Sequence, residues 1–389
     1  MNENFESLGL SQAILNSIHQ VGFTKPTPIQ AQVIPIALAG KDIIGLAQTG
    51  SGKTAAFCIP ISERLLHGSG LRGLILCPTR EIALQTKHFL DLFGKHHELD
   101  TVCIIGGVRM DPQIRDLKKN PDIIVATPGR LADHLNRGNV KLQQISELVL
   151  DEADHMLDLG FLPQIKEILG QLPQKRHTMM FSATMPDSIE RLAQYFLQDP
   201  TRIDILPEGK TAQGIEHRLY LVKPDDKKAC LLSLLHQEKG STLVFSQTKM
   251  DTDWLCRVLE EEGQDVARIH SDRTQKERTH ALQGFREGLH RILVATAIAS
   301  RGIDVPDIQH VINFEIPDTV EEYIHRAGRT ARADALGIVS TIATWTETLR
   351  VKEFEKTLGI ELPRCTAPGI EPYVEIKVKP FGRNFRRTL

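Results

Sequence analysis

The 389-residue sequence predicts an α/β fold in two parts, and three observations carry that reading. Short β-branched and aliphatic runs alternate with stretches of helical periodicity, the pattern of βαβ units and a parallel sheet. A polar stretch at 207–214, with two glycines and no period, interrupts the alternation near mid-chain and reads as a linker. Aromatic residues are only 5% of the chain, so the core has to be mostly aliphatic, as buried parallel strands are.

The elements follow in order. Ser11 can cap an opening helix whose Ile14, Leu15, Ile18 and Val21 share one face, and Gly22 can end it. Strands are expected at 42–47, 74–78, 101–105, 123–126, 147–150, 178–182 and 203–206. After the linker they are expected at 215–222, 242–245, 266–269, 292–295, 310–314 and 338–343. This divides the chain into a first domain at 1–206, the linker at 207–214, a second domain at 215–370 and a basic tail at 371–389. The two domains share an architecture without a short repeat.

Composition excludes several classes. Apolar residues are 41% and charged residues 25%, ordinary for a globular chain. The six cysteines are scattered with no C-x-x-C pair, which fits reduced thiols in the cytoplasm. The N-terminus carries Glu3 and Glu6 and no apolar leader, and no apolar run nears the roughly 18 residues a membrane helix needs. A soluble cytoplasmic protein with no membrane partner is expected. The net charge of −2 gives no bulk support for nucleic acid, but it is an average. Residues 376–389 hold five basic side chains and no acid, which leaves −7 on the preceding residues.

Two stretches carry phosphate chemistry. Ile43–Ala47 runs into Gln48-Thr49-Gly50-Ser51-Gly52-Lys53-Thr54 and then an Ala-rich helix start. Glycines let backbone N–H groups close around phosphate oxygens. Lys53 can reach the outer phosphates, Thr54 can ligate Mg²⁺, and the helix N-terminus adds its dipole. Ala47 stands where the usual G-x4-G-K-[ST] pattern has its first glycine. About a hundred residues on, the apolar strand Leu148-Val149-Leu150 ends in Asp151-Glu152-Ala153-Asp154. A strand-end Asp can hold Mg²⁺, and the following Glu can orient or deprotonate an attacking water.

With these strings in place the sequence resembles the DEAD-box ATP-dependent RNA helicases over roughly residues 3–370, with the motifs in the family's order. The compact core and short tail look most like bacterial members of the RhlE type. Gly22-Phe23-Thr24-Lys25-Pro26-Thr27-Pro28-Ile29-Gln30 is similar to the Q motif, within 3–31, and Phe5 lies upstream. There the family reads adenine. The resemblance therefore assigns Phe5, Lys25 and Gln30 to ATP together with Gln48, Thr49, Gly50, Ser51, Gly52, Lys53 and Thr54. An amide can match adenine's adjacent donor and acceptor. Pro78-Thr79-Arg80-Glu81, Gly106-Gly107 and Thr127-Pro128-Gly129-Arg130 resemble RNA-facing motifs. They imply RNA contacts at Pro78, Thr79, Arg80, Gly107, Thr127, Gly129 and Arg130, each after a strand, where open α/β sheets bind ligands. Ser182-Ala183-Thr184 resembles the motif that couples the ATP and RNA sites.

The second part continues the match. Val244–Lys249 resembles motif IV. His270-Ser271-Asp272 with Gln275 and Arg278 resembles the H-G-D-x-x-Q-x-x-R segment. Ala295–Asp304 resembles motif V, and Tyr323–Arg332 resembles motif VI. The resemblance places Gln275, Thr296 and Arg301 toward RNA and Asp304 near the ATP ribose. It puts Arg329 and Arg332 on the γ-phosphate when the domains close, as an arginine finger acts. Lys53, Glu152, Arg329 and Arg332 are thus the expected catalytic set. Thr54 and Asp151 are the expected Mg²⁺ ligands, and Asp154, Ser182, Thr184, His325 and Arg326 the expected coupling residues. Ser271, Ala297 and Ala331 replace the family's usual Gly, Asp and Gly; none removes a reacting group, and tuned RNA affinity or coupling is expected from them.

The resemblance implies two tandem RecA-like domains that bind ATP and Mg²⁺ in the cleft between them. They would grip RNA across both through its sugar–phosphate chain, without base readout and with selectivity over DNA from 2′-hydroxyl contacts. RNA–protein complexes are further candidate substrates, and DNA is not. Two other classes stay in view. One is a DNA helicase of the same superfamily, which comparison of ATPase stimulation by RNA and single-stranded DNA would reveal. The other is an RNA clamp or scaffold without turnover, which phosphate release would exclude. The tail, with Phe381 and Phe385 among its basic residues, suits a nonspecific RNA tether.

Overall fold

The structure is a computed structural model; it describes residues 4–47, 50–95, 98–205, 214–297, 308–331 and 336–371, with the side chains of Gln275 and Glu321 outside that description. The tail from 372, residues 207–213 of the expected linker, and the expected site residues Gln48, Thr49, Arg301, Asp304 and Arg332 lie outside the described residues.

Two seven-stranded sheets form, and every described pairing in them is parallel. The first comprises β1 (Ile43–Leu46), β2 (Gly73–Leu76), β3 (Thr101–Ile104), β4 (Ile123–Ala126), β5 (Glu147–Leu150), β6 (His177–Ser182) and β7 (Thr201–Asp204). The second comprises β8 (Ile215–Val222), β9 (Thr242–Ser246), β10 (Val266–Ile269), β11 (Ile292–Thr296), β12 (His310–Asn313), β13 (Gly337–Thr344) and β14 (Arg364–Cys365). Their orders, β3-β4-β2-β5-β6-β1-β7 and β10-β11-β9-β12-β13-β8-β14, correspond strand for strand. The shared architecture expected of the two halves is therefore a shared topology. This is the α/β arrangement of two tandem RecA-like domains.

Each sheet is buried on both faces. Along β1 and β6, Ile43 and Met179 enter one cluster while Ile44 and Met180 enter the other. The alternation follows from the two-residue period of a strand. The opening helix is Gln12–Gln20, with Ser11 as its cap and Gly22 at φ +86° beyond it. At the N-terminal edge of the first sheet a buried polar network ties β1, β5 and β6 together. Asp42 accepts from Thr178 N and Gln198 N, each at 2.7 Å. His177 Nδ1 lies 2.6 Å from Glu147 Oε2, and Arg64 pairs with Glu147 at 2.8 Å.

The strand order sorts the motif-bearing loops. β5, β6 and β1 are adjacent and end in Asp151-Glu152, Ser182-Ala183-Thr184 and the glycine loop. β3, β4 and β2 form the other half of the sheet and end in Gly106-Gly107, Thr127–Arg130 and Pro78–Arg80. All lie at the C-terminal edge, where such sheets bind ligands.

Candidate functional site

The phosphate loop is built as its residue types require. Gly50 and Gly52 have φ of +88° and +93°, and Gly52 caps the helix Lys53–Arg64. A β-carbon on Gly52 would lie 2.6 Å from Gln30 Nε2, so glycine is needed for both dihedral and space. Ala47 directly follows β1, lies outside the left-handed region and donates its N–H to Ser182 O at 3.1 Å. The first glycine of the strict pattern can therefore be replaced at no conformational cost. Lys53 is buried and donates to Ala47 O at 2.6 Å.

Gln30 sits against this loop. Its Oε1 accepts from Thr27 N at 3.0 Å, and its Nε2 donates to Gly52 O at 3.2 Å. The amide thus ties the N-terminus of helix Pro28–Leu38 to the phosphate loop, with one N–H and one lone pair left over. Lys25 is exposed. Phe5 packs inward. It is 1% exposed and belongs to the first-domain core.

Asp151 and Glu152 follow β5. Asp151 is 3% exposed, and its Oδ1 is buried without a hydrogen-bond partner. Burial and the adjacent Glu152 charge push its carboxyl up, against the pull of Lys53. Glu152 adopts φ 49°, ψ 56° and caps the helix Ala153–Asp158. A left-handed non-glycine residue is strained, and such strain gathers at functional sites. Burial pushes the Glu152 carboxyl up. A hydrogen bond from His155, with the nearby Lys53 and Arg329 charges, outweighs that and holds it well below the usual carboxylate range.

Asp154 is a hub. Its Oδ2 accepts from Ala183 N and Thr184 N at 3.0 Å and from Thr184 Oγ1 at 3.1 Å. Its Oδ1 accepts from His155 N at 2.9 Å. His325 Nε2 of the second domain lies 3.6 Å from the same Oδ2. Ser182 is fully buried with its hydroxyl unpartnered. His325 and Arg326 lie on the helix Val320–Ala327, whose Thr319 cap accepts from Glu322 N. Arg326 donates to Glu322 and Asn313 and stacks 4.8 Å over the Phe245 ring. Arg329 is 3% exposed and donates to His325 O. Its charge is among those that lower the Glu152 pKa. Ala331, the departure from glycine in this segment, has φ +54°. The usual glycine would have adopted that dihedral freely, so the alanine carries strain of about 1–2 kcal/mol.

The motifs expected to face RNA converge on a groove of about 400 Å³ that both domains line. Pro78, Thr79, Arg80, Thr127, Gly129 and Arg130 contribute from the first domain, and Ser271 and Arg278 from the second. Thr79 caps the helix Arg80–Gly94. Gly107 has φ +70°, and a β-carbon there would overlap the Arg80 guanidinium. Arg130 donates to Val108 O at 3.0 Å. Arg278 pairs with Glu81 across the domains at 3.1 Å. Burial and the neighbouring Arg278 and Arg130 charges lower the Arg80 pKa. Ser271, the departure from glycine in its loop, is exposed on the groove wall. Gln275 opens the helix Gln275–Arg286, and Thr296 ends β11.

Sequence reasoning missed four participants. Asp253 gathers Arg268, His270 and Arg273 at 3.1–3.3 Å and so holds the loop that bears Ser271. Leu159 and Phe161 line the groove floor. His155 touches Glu152; its place directly after Asp154, on the first turn of a helix, was the available signal.

Comparison with known proteins agrees with this geometry. A family model described as DEAD/DEAH box helicase matches residues 27–192, and one described as helicase conserved C-terminal domain matches 226–334. The chain is 41% identical over 388 residues to the DEAD-box ATP-dependent RNA helicase CshA of Bacillus cereus, covering 99% of this chain and 74% of that one. It is 38% identical over 375 residues to the DEAD-box ATP-dependent RNA helicase RhpA of Helicobacter pylori, covering 96% and 76%. Among solved structures it is similar to S. cerevisiae Dbp5 bound to RNA and ADP BeF3, with TM-score 0.85, 29% identity and 94% and 96% coverage. Against a DEAD box protein from Methanococcus jannaschii, covering 93% and 99%, identity rises to 38% while the TM-score falls to 0.55.

Proposed function

The chain belongs to the DEAD-box ATP-dependent RNA helicases, and on that premise we propose that it hydrolyses ATP with RNA stimulation. Closure of its two halves on both ligands opens short RNA duplexes locally or remodels RNA–protein complexes. The observation that carries the reading is the Asp154 hub, which joins the acidic strand end, the Ser182-Ala183-Thr184 turn and His325 of the other half.

Lys53 and the glycine-loop N–H groups hold the phosphates. The residues present fit Mg²⁺. Asp151 offers a buried, unpartnered carboxylate oxygen, and Thr54 a hydroxyl on the facing helix start. Few protein ligands suit a cation that keeps its waters. When bound, Mg²⁺ would neutralise charge on the phosphate oxygens. Glu152 orients the attacking water and accepts its proton, for which an ionised carboxylate is needed. Arg329, with Arg332, approaches from the second half and stabilises charge that develops on the γ-phosphate. Gln30 and Lys25 serve the base side and Asp304 the ribose. RNA lies in the arginine-lined groove, with Gln275, Thr296 and Arg301 of the second half. It is gripped through phosphate and sugar, so binding is independent of sequence.

The domain limits 1–206 and 215–370 belong to this reading, as does a cytoplasmic location. The six cysteines are free, and among the described residues no helix is long and apolar enough to cross a membrane. Phosphate release measured with RNA, with single-stranded DNA and with neither tests the proposal. RNA stimulation is expected, and Glu152→Gln should bind ATP and RNA without turnover. Equal stimulation by DNA would favour a DNA helicase, and no release an RNA clamp.

A further inference from the structure

We propose that His155 is a positioning residue for ATP hydrolysis, holding the Glu152 carboxylate in the orientation that leaves one oxygen to the attacking water. The inference rests on the reading of Glu152 given above. Glu152 is the left-handed cap of the helix Ala153–Asp158, a conformation that turns its side chain back over the first turn of its own helix. His155 stands there, with Nδ1 3.1 Å from Glu152 Oε2. The imidazole is 1% exposed, so packing fixes its rotamer. Its Nε2 is buried without a hydrogen-bond partner. The ring therefore spends its one hydrogen bond on Glu152, which selects the tautomer with the proton on Nδ1. An apolar side chain would fill the same space without an unpaired nitrogen, so packing alone does not explain a histidine here.

The electrostatic surroundings give the contact its purpose. Lys53 and Arg329 both act on Glu152 from the cleft. A glutamate free to rotate would fold onto one of these cations and lose the geometry a water acceptor needs. His155 engages Oε2 from the protein side, so that Oε1 remains for the water. Positioning of this kind appears in the chemical step, not in ligand binding.

The test is steady-state ATP hydrolysis at saturating RNA for the full chain and for His155→Ala, His155→Asn and Glu152→Gln. His155→Ala should lower kcat about tenfold and leave the KM for ATP and the RNA Kd within about twofold. His155→Asn, whose Nδ2 can take the place of Nδ1, should recover most of that loss. An unchanged kcat in His155→Ala would overturn the inference. So would a loss that asparagine does not rescue and that comes with a raised KM and a lowered Tm, the pattern of a structural role. Full turnover by Glu152→Gln would remove the underlying reading of Glu152, an outcome distinguishable because it does not involve His155.

Discussion

Asp154→Asn is the most informative single change, because one isosteric substitution acts on contacts within the first domain and across the two. The carboxylate accepts from Ala183 N, Thr184 N and Thr184 Oγ1 on one oxygen and from His155 N on the other, at 2.9–3.1 Å. The residue is 5% exposed. A carboxamide has a single acceptor oxygen. With that oxygen turned to Ala183 and Thr184, its NH₂ faces the His155 N–H and leaves a buried donor unpaired. An unpaired buried donor costs about 1–3 kcal/mol, and each remaining bond loses the extra strength of an ionised acceptor. The sum is on the order of 3 kcal/mol, or roughly 6–12 °C in the Tm of a domain of this size. The His325 contact at 3.6 Å stabilises only the closed form. Its loss should reduce the gain in RNA affinity on adding a non-hydrolysable nucleotide by about tenfold, roughly 1.4 kcal/mol. Thermal melting and RNA binding by fluorescence anisotropy, with and without nucleotide, read the two effects separately. A variant that melts with the wild type, or one that melts early yet keeps its full nucleotide-dependent gain, would refute this account of the hub.

Two further predictions concern the second domain and the groove. Burial pushes the Glu315 carboxyl up to about 7, with Lys227 opposing and Asp251 adding to the rise. A carboxyl raised in the folded state stabilises most below its unfolded value, near 4.5, and that contribution is lost as pH rises toward 7. Glu315→Gln, which keeps an acceptor for Gln247 N, should therefore gain on the wild type between pH 5 and 8, by up to about 3 kcal/mol. Denaturant midpoints measured across that range check it, and a difference flat with pH contradicts it. Gly107→Ala forces a β-carbon into the Arg80 guanidinium at φ +70°. RNA affinity at fixed salt should fall about tenfold, the equivalent of the roughly 1–2 kcal/mol left-handed penalty, with ATP binding unchanged. An unaltered RNA Kd would mean that Arg80 does not need this seat.

The strands were legible because a parallel strand buried on both faces is a short apolar run bounded by turn residues. Ile123–Ala126, Glu147–Leu150, Ile215–Val222 and Val266–Ile269 are observed at the limits the sequence suggested. The last strand of the first sheet lies at Thr201–Asp204, about two residues before the apolar run at 203–206. The Asp42 carbonyl fixes its start by accepting from Thr201 N at 2.8 Å, a contact from 159 positions away in the chain. Arg364–Cys365 is too short to show a period and owes its strand to pairing with β8. The loops after the strands were legible as motifs because each needs its residues close together in sequence. What could not be read is what tertiary structure adds: the burial of Phe5, the commitment of Gln30 to the phosphate loop, the left-handed backbone at Glu152 and Ala331, and the pairs Asp154–His325 and Glu81–Arg278. Each depends on a distant partner or on a dihedral that the residue type alone disfavours.

The charge balance takes its meaning from these pairs. A net of −2 is compatible with RNA because the cations that matter are few and placed together. Arg80, Arg130 and Arg278 share one groove, where burial first, and then the neighbouring Arg278 and Arg130 charges, lower the Arg80 pKa. Arg278 arrives from the second domain, so closure brings its charge onto two others, with Glu81 as the local compensation at 3.1 Å. A phosphate in the groove relieves that repulsion only when the halves are together. If RNA occupies this groove as proposed, it would favour the closed state through the same charges that resist closure in its absence. The linkage is reciprocal. Whatever else draws the halves together, including nucleotide at the Asp151 and Arg329 side of the cleft, raises RNA affinity by the same factor by which RNA raises affinity for nucleotide.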